Sequence, residues 1–187
     1  MEAVTKRSDG RQRLMDAASQ LFCHGGYEEV SVAQLLEHSA LKAPSLYHHY
    51  QDKEGLYVAW ATLALDRIAE KVRTALSESS KSLEKIVEAL IDGPEMDILQ
   101  MARDLRALKK PESRETLKQH LEYSVYLPLE KHLMTVYGLD ADHARAQASL
   151  IVHGAMSLHP AYTDASRGVS AGFLTRVLGP GPGTAQG

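Results

Sequence analysis

The densest chemistry in the chain sits at residues 47–50, Tyr47-His48-His49-Tyr50, with Pro44 just ahead and Lys53 just behind. Imidazoles and phenols can ligate a metal, trade protons, pack in a core or hydrogen-bond an external partner. A metal ion needs ligands that converge on one point, usually with cysteine or carboxylate partners. Neighbouring helical positions diverge by about 100°, so His48 and His49 cannot share an ion, and no metal site is expected. Leu46 and Tyr50, at i and i+4, share a face that suits a core. Pro44, Ser45, Tyr47 and His48 point broadly the other way, with His49 on the flank. That outward set is a polar surface suited to touching something.

The elements that must position it are legible. Leu14, Ala17, Ala18, Leu21 and Phe22 form a single apolar stripe on a first helix. Gly25 and Gly26 are expected to end it. Ser31 and Gln34 make a capping box for a second, short helix that buries Val32, Leu35 and Leu36 and ends near Ser39. A tight turn at Ala40 and Leu41 leads into a third helix, with Pro44 in its first turn, where a missing N–H costs nothing. Asp52 can cap a fourth helix and leaves Lys53 in its first turn. Three short helices with a tight turn between the second and third follow the helix-turn-helix plan, whose last helix lies in the DNA major groove. Lys42, Ala43, Pro44, Ser45, Tyr47 and His48 would then meet bases, and Lys53 would sit where backbone N–H groups already favour a phosphate.

Residues 11–60, through "RLMDAASQLFCHGGYEEVSVAQLLEHSALKAPSLYHHYQDKEGL", resemble the DNA-binding domain of the tetracycline-repressor (TetR) family of bacterial transcription regulators. The match is to an aliphatic/Ala-Ala/Leu-Phe helix, Gly-Tyr, a Ser/Thr-capped helix, and Leu-Tyr-x-[His/Tyr]-[Phe/Tyr]-x-x-Lys-Glu-x-Leu. The resemblance implies that Tyr47, His49 and Lys53 contact phosphates while residues from Lys42 to His48 read bases; Arg11 and Ser31 join the DNA-binding set. Ala40, Leu41 and Lys42 stand where the family often has Gly, Val and Ser. A Cβ at Ala40 disfavours positive φ. Lys42 cannot accept an N-cap hydrogen bond but adds a cation for a phosphate.

Charge offers little support: the formal net charge is −3, and residues 1–53 carry six cations against seven anions. Four of those cations, Lys6, Arg7, Arg11 and Arg13, precede or open the first helix, where an arm could follow the DNA backbone. No apolar run approaches the roughly 20 residues that span a bilayer, and "MEAVTKRSDGRQR" has no hydrophobic segment behind its charges, so it does not read as a secretory signal. With Cys23 the only cysteine, no intrachain disulfide is possible. A cytoplasmic, nucleoid-associated protein fits, and Cys23 reads as a buried structural thiol. No nucleophile elbow, phosphate loop, zinc-binding helix or paired-carboxylate motif occurs, so neither an enzyme nor a cofactor is expected.

Strand signals are missing, and the expected fold is all-α: a helix-turn-helix domain over 1–52, a helical regulatory and dimerisation domain over 53–178, and a disordered tail over 179–187. A long helix is expected over 52–77, then helices over 82–91, 95–109, 113–137, 140–159 and 169–178, with Pro128 kinking the one over 113–137. Met96, Leu99, Met101, His120, Tyr123, Tyr126, Leu127, His153 and Met156 suit an apolar ligand pocket, and equally an ordinary core. The resemblance implies that a pocket exists without saying which of them line it. Ala144, Ala148, Ile151 and Ala155, with Phe173, Leu174 and Leu178, fit a two-fold helical interface. The expected partners are therefore an operator duplex, a second copy of the chain and a small-molecule effector, with no membrane. Replacing Tyr47 and Lys53 together by Ala is expected to abolish DNA binding and spare the fold.

Overall fold

The computed structural model describes residues 2–78, 83–91, 96 and 98–157, with backbone alone at 2–8 and 78. The described residues are helical with no strand: α1 Glu2–Glu29, α2 Val32–Ser39, α3 Ala43–Tyr50, α4 Lys53–Glu78, α5 Leu83–Ile91, α6 Ile98–Ala107, α7 Pro111–Leu121, α8 Leu127–Tyr137 and α9 Ala141–Ser157, with a π-helical turn at Glu122–Tyr126 before α8. The helix expected over 169–178, the tail, and the side chains of Lys6, Arg7, Phe173, Leu174 and Leu178 lie outside the described residues.

The chain divides into two compact units, residues 1–64 with 100–118, and residues 65–99 with 119–187. The unit that carries the helix-turn-helix thus extends beyond residue 52. The reason is aromatic: Phe22 of α1 packs edge-on against Tyr57 of α4 at 5.1 Å, and Tyr57 meets Tyr27 at 5.2 Å and Trp60 at 5.6 Å. Leu14, Ala18, Leu35, Leu46, Leu56 and Tyr57 are wholly buried around them. A first turn of α4 so deeply packed cannot belong to a separate body.

Long-range polar bonds tie 100–118 into the same unit. Tyr57 donates its hydroxyl proton to Asp104 at 2.8 Å, and Gln100 donates to the other Asp104 oxygen at 2.8 Å. Burial, then the Asp104 charge, pushes the Tyr57 phenol far up. Gln100 and Asp104 press on Gly26, which interrupts α1 at φ 68° as the sequence anticipated. A Cβ there would stand 2.4 Å from Gln100 Nε2, the movable end of that side chain, so it is the backbone conformation that demands glycine. The helical rotation resumes for the few residues to Glu29.

In the second unit Leu65, Ile68, Ile86, Leu90, Val125, Leu129, Leu133, Ala148 and Val152 are buried, and α9 packs against α5 and α8. The helix expected over 113–137 runs without a break from Pro111 to Tyr137, with a π-helical turn at Glu122–Tyr126 in place of a simple kink. Pro128 sits in the first turn of α8, where it needs no N–H partner. The turn before it widens so that the Leu127 N–H bonds the Glu122 carbonyl five residues back. Cys23 is half-buried, its thiol donating to the Gln20 carbonyl at 3.5 Å, and burial pushes its pKa up.

Candidate nucleic-acid interface

The interface is built on α3 and its two corners. At the first, α2 ends in a Schellman pattern: Leu41 N–H bonds Leu36 O at 3.0 Å and Ala40 N–H bonds Glu37 O at 3.0 Å. Ala40 takes φ 49°, ψ 40°, the left-handed conformation that the sequence flagged as costly for a residue with a Cβ. Arg13 fastens the turn by donating to the Ala40 carbonyl at 3.1 Å. Lys42 caps α3 by backbone alone, with no side-chain cap bond.

At the second corner, Gln51 adopts φ 68°, ψ −47°, and the Asp52 N–H bonds the Tyr50 carbonyl at 2.8 Å. Those angles and that bond define a γ-turn of the strained kind. Asp52 then caps α4, its Oδ1 accepting the Gly55 N–H at 2.8 Å. A Cβ on Gly55 would lie 2.0 Å from the Tyr50 carbonyl oxygen. The angle between α3 and α4 is therefore fixed by one strained residue and one obligatory glycine.

Between these corners α3 presents the face that the sequence proposed. Leu46 and Tyr50 are buried, Lys42, Pro44 and His48 are exposed, and Tyr47 is 56% exposed. Tyr50 is pinned from behind: its hydroxyl donates to the Arg11 carbonyl at 3.1 Å, and the Arg11 guanidinium lies 5.9 Å from its ring. Arg11 itself is exposed. Ala43 is half-buried. Ser45, placed outward by the helical wheel, is half-buried on the flank with His49, where both lie over Gly10 of α1. Ser31 is exposed, but its hydroxyl is engaged with Gln34, accepting the Gln34 N–H at 3.2 Å and donating to Oε1 at 2.8 Å.

Lys53 has a structural task that the sequence did not show. Its ammonium donates to the carbonyls of Tyr27 at 2.9 Å and Val30 at 3.0 Å, and it lies 4.0 Å from the centre of the Tyr27 ring. Burial lowers its pKa. Two of its three N–H groups therefore hold the α1–α2 connection, and one is left for an external acceptor. A Lys53→Ala change would strip both carbonyls of this donor, so a cost to the fold is expected beside any loss of DNA contact.

Nor did the sequence reveal how α7 is anchored. Glu54 is 4% exposed, and its two oxygens accept the N–H groups of Lys109 at 3.0 Å and Lys110 at 2.9 Å. Burial favours the neutral acid, but the bonds from Ser113, Lys110 and Lys109 outweigh it and hold the carboxyl below its ordinary value. Asp52 shows the same balance, with burial opposed by the Lys110 ammonium and the Gly55 amide. Lys110 Nζ lies 2.7 Å from Asp52 Oδ2. The Lys-Glu pair thus faces two ways, Lys53 back toward α1 and Glu54 across to α7.

The remaining candidates are divided between the two units. Met96, Met101 and Met156 are at most 2% exposed, and Leu99, His120, Tyr126 and Leu127 are half-buried, but Met101 belongs to the first unit. Tyr123 is 67% exposed because Val125, at 0%, takes the inward position in the π turn, and His153 is exposed with its ring on the Ser149 carbonyl at 2.8 Å. His120 pairs with Asp66 at 2.8 Å. Tyr126 instead shares an open depression of about 260 Å³ with Glu122, Glu130, Arg145 and Ser149. Ala144, Ala148, Ile151 and Ala155 are 0–1% exposed within one chain, so their side chains pack inside it. On the same helix Ala146, Leu150 and His153 are exposed. Among the described residues no group of three or more metal-ligating side chains converges, and no helix is long and apolar enough to cross a membrane.

Residues 14–60 match the profile of the bacterial regulatory proteins of the tetR family. Those residues carry the N-terminal DNA-binding domain of the tetR family. Its likeness to the HTH-type transcriptional repressor ComR of Escherichia coli K12 is 39% identity over 85 residues, 42% of this chain and 40% of that repressor. The HTH-type transcriptional repressor AcnR of Corynebacterium glutamicum is 30% identical over 93 residues, 50% of this chain and 46% of AcnR. The chain thus spans less than half the length of these curated relatives. The tetR fold itself runs further. The crystal structure of SCO4454, a TetR-family transcriptional regulator from Streptomyces coelicolor, superposes with a TM-score of 0.75 over 91% of this chain and 93% of that one, at 16% identity.

Proposed function

We propose that this chain is a DNA-binding transcriptional regulator of the tetR family, a repressor that binds a two-fold operator as a homodimer and is released by a small molecule. The observation that carries the reading is the exposed edge of α3. Lys42, Pro44, Tyr47 and His48 stand clear of the core at the start and middle of a helix whose opposite side, Leu46 and Tyr50, is buried, with Tyr50 bonded to α1. Major-groove reading needs such a helix, because base edges are met by side chains near its N-terminus while phosphates are held at its margins. Tyr47 and the last N–H of Lys53 supply the phosphate contacts, and Lys42 and His48 the polar reach.

The repressor sign is drawn from the two relatives' names, and the effector from the family. The acidic balance of the chain makes weak non-specific binding and a steep salt dependence the expected behaviour. A binding protein, not an enzyme, is the class that the helix-turn-helix supports.

The test is fluorescence anisotropy on the DNA upstream of the protein's own gene against scrambled DNA over a salt series. Preferential binding with two protomers, or a multiple of two, per site is the expected result. The double variant Tyr47→Ala with His48→Ala, both exposed, is expected to lose binding by about a hundred-fold, from two lost contacts of about 1–3 kcal/mol each, at an unchanged melting temperature. Absence of binding even at low salt would end the reading.

A further inference from the structure

Asp52 poses a problem for a DNA-binding surface. It is an ionised carboxylate at the corner between α3 and α4, one residue before Lys53 and five after Tyr47. Its side chain is 40% exposed. A phosphate brought to the first turn of α4 would meet this charge, and like charges in a weakly screened interface repel.

The structure supplies a counter-charge from far along the chain. Lys110 opens α7, 58 residues from Asp52, and its ammonium lies 2.7 Å from Asp52 Oδ2. The approach is held by backbone, since Glu54 grips the amides of Lys109 and Lys110 from below. Lys110 also reaches the end of the DNA-facing helix: it shares with His49, Tyr50 and Gln51 an open groove of about 360 Å³. Glu112 lies on the same groove, so the charge balance there is close, and Lys110 is the cation that faces Asp52.

We infer that Lys110, outside the helix-turn-helix, sets the affinity for DNA by masking the Asp52 carboxylate at the corner where the phosphate backbone is seated. The inference rests on the proposed DNA-binding function. Exposed ion pairs stabilise a fold very little. Their charges still add to the field that an incoming polyanion meets. A displacement that drew the start of α7 away from α4 would uncover Asp52 and push the operator off, so the pair also gives a shift in α7 a direct electrostatic effect on binding.

Charge masking predicts opposite signs for its two halves, which a merely structural role does not. Lys110→Met is expected to weaken binding to the upstream DNA about five-fold at low salt, and to lower the slope of log affinity on log salt by about one. Asp52→Asn keeps the N-cap oxygen for Gly55 and is expected to tighten binding by a similar factor. The double variant should return to within about two-fold of wild type, as the two changes cancel in net charge. Lys110→Arg, which keeps the cation, should bind as wild type does, and melting temperatures measured alongside report the fold. The inference is overturned if Lys110→Met binds like wild type, if Asp52→Asn fails to tighten binding, or if the double variant stays as weak as Lys110→Met. A wild-type protein with no affinity for any duplex would bring down the proposed function and this inference together, whereas the other failures leave that function standing.

Discussion

Single residues fix this molecule at points where the sequence names them without saying why. Gly55 is the sharpest case. As a sequence it is an unassigned position between Glu54 and Leu56; in the structure its Cα lies against the Tyr50 carbonyl, where a Cβ would come within 2.0 Å of the oxygen. Nothing local to residue 55 reveals this, because the obstacle is the strained end of the preceding helix. Gly55→Ala must either unwind the γ-turn at Gln51 or lift α4 from α3, and both disturb a core containing the fully buried Leu46 and Leu56. A loss of about 3 kcal/mol or more is expected in urea unfolding followed by circular dichroism; a loss under about 1 kcal/mol would mean that the corner yields easily. Glu54 was hidden for another reason. Its partners Lys109 and Lys110 are 55 and 56 residues away, and a carboxylate that caps a distant helix start has no sequence pattern. Tyr47 and His48, whose orientation depends only on helical rotation relative to Leu46, were legible.

At the scale of elements, the first three helices could be read because their signals are local. The Ser31–Gln34 capping box, the proline in the first turn of α3 and the glycine break in α1 each act within a few residues. The π turn escaped notice because Pro128 announces a disturbance without specifying its form, and a widened turn satisfies the backbone as well as a kink does. The turn between α2 and α3 yields a prediction of opposite sign to that for Gly55. Ala40 sits at φ 49° with nothing in its place that needs a methyl group, and is exposed. The left-handed conformation costs a residue with a Cβ about 1–2 kcal/mol, while glycine adds about 0.4–1 kcal/mol of unfolded-state entropy. Ala40→Gly is therefore expected to raise stability by about 0.5–1 kcal/mol and leave DNA affinity unchanged. If stability falls instead, the Schellman bonds and Arg13 already hold the turn without strain.

For the whole molecule, the all-α class was legible from the absence of strand patterns, but the assignment of surfaces was not. Small residues on α9 suggested a dimer interface, yet small side chains also let helices of one chain approach closely, and Ala144, Ala148 and Ala155 serve that end. What α9 leaves outside is a stripe of Ala146, Leu150 and His153, with Leu150 54% exposed. An exposed leucine contributes little to the fold of one chain and much to an interface that buries it. Leu150→Glu is accordingly expected to leave the melting temperature of the isolated chain nearly unchanged while turning a sedimenting dimer into a monomer. Because a dimer binds its second half-site at the effective concentration set by the first, the monomer should lose operator affinity by about a hundred-fold or more. If Leu150→Glu stays dimeric and binds the operator as before, α9 is not the contact and the two-fold must be built from another face of the second unit. If it becomes monomeric yet keeps full affinity, a single reading head suffices and the requirement for a two-fold operator is wrong.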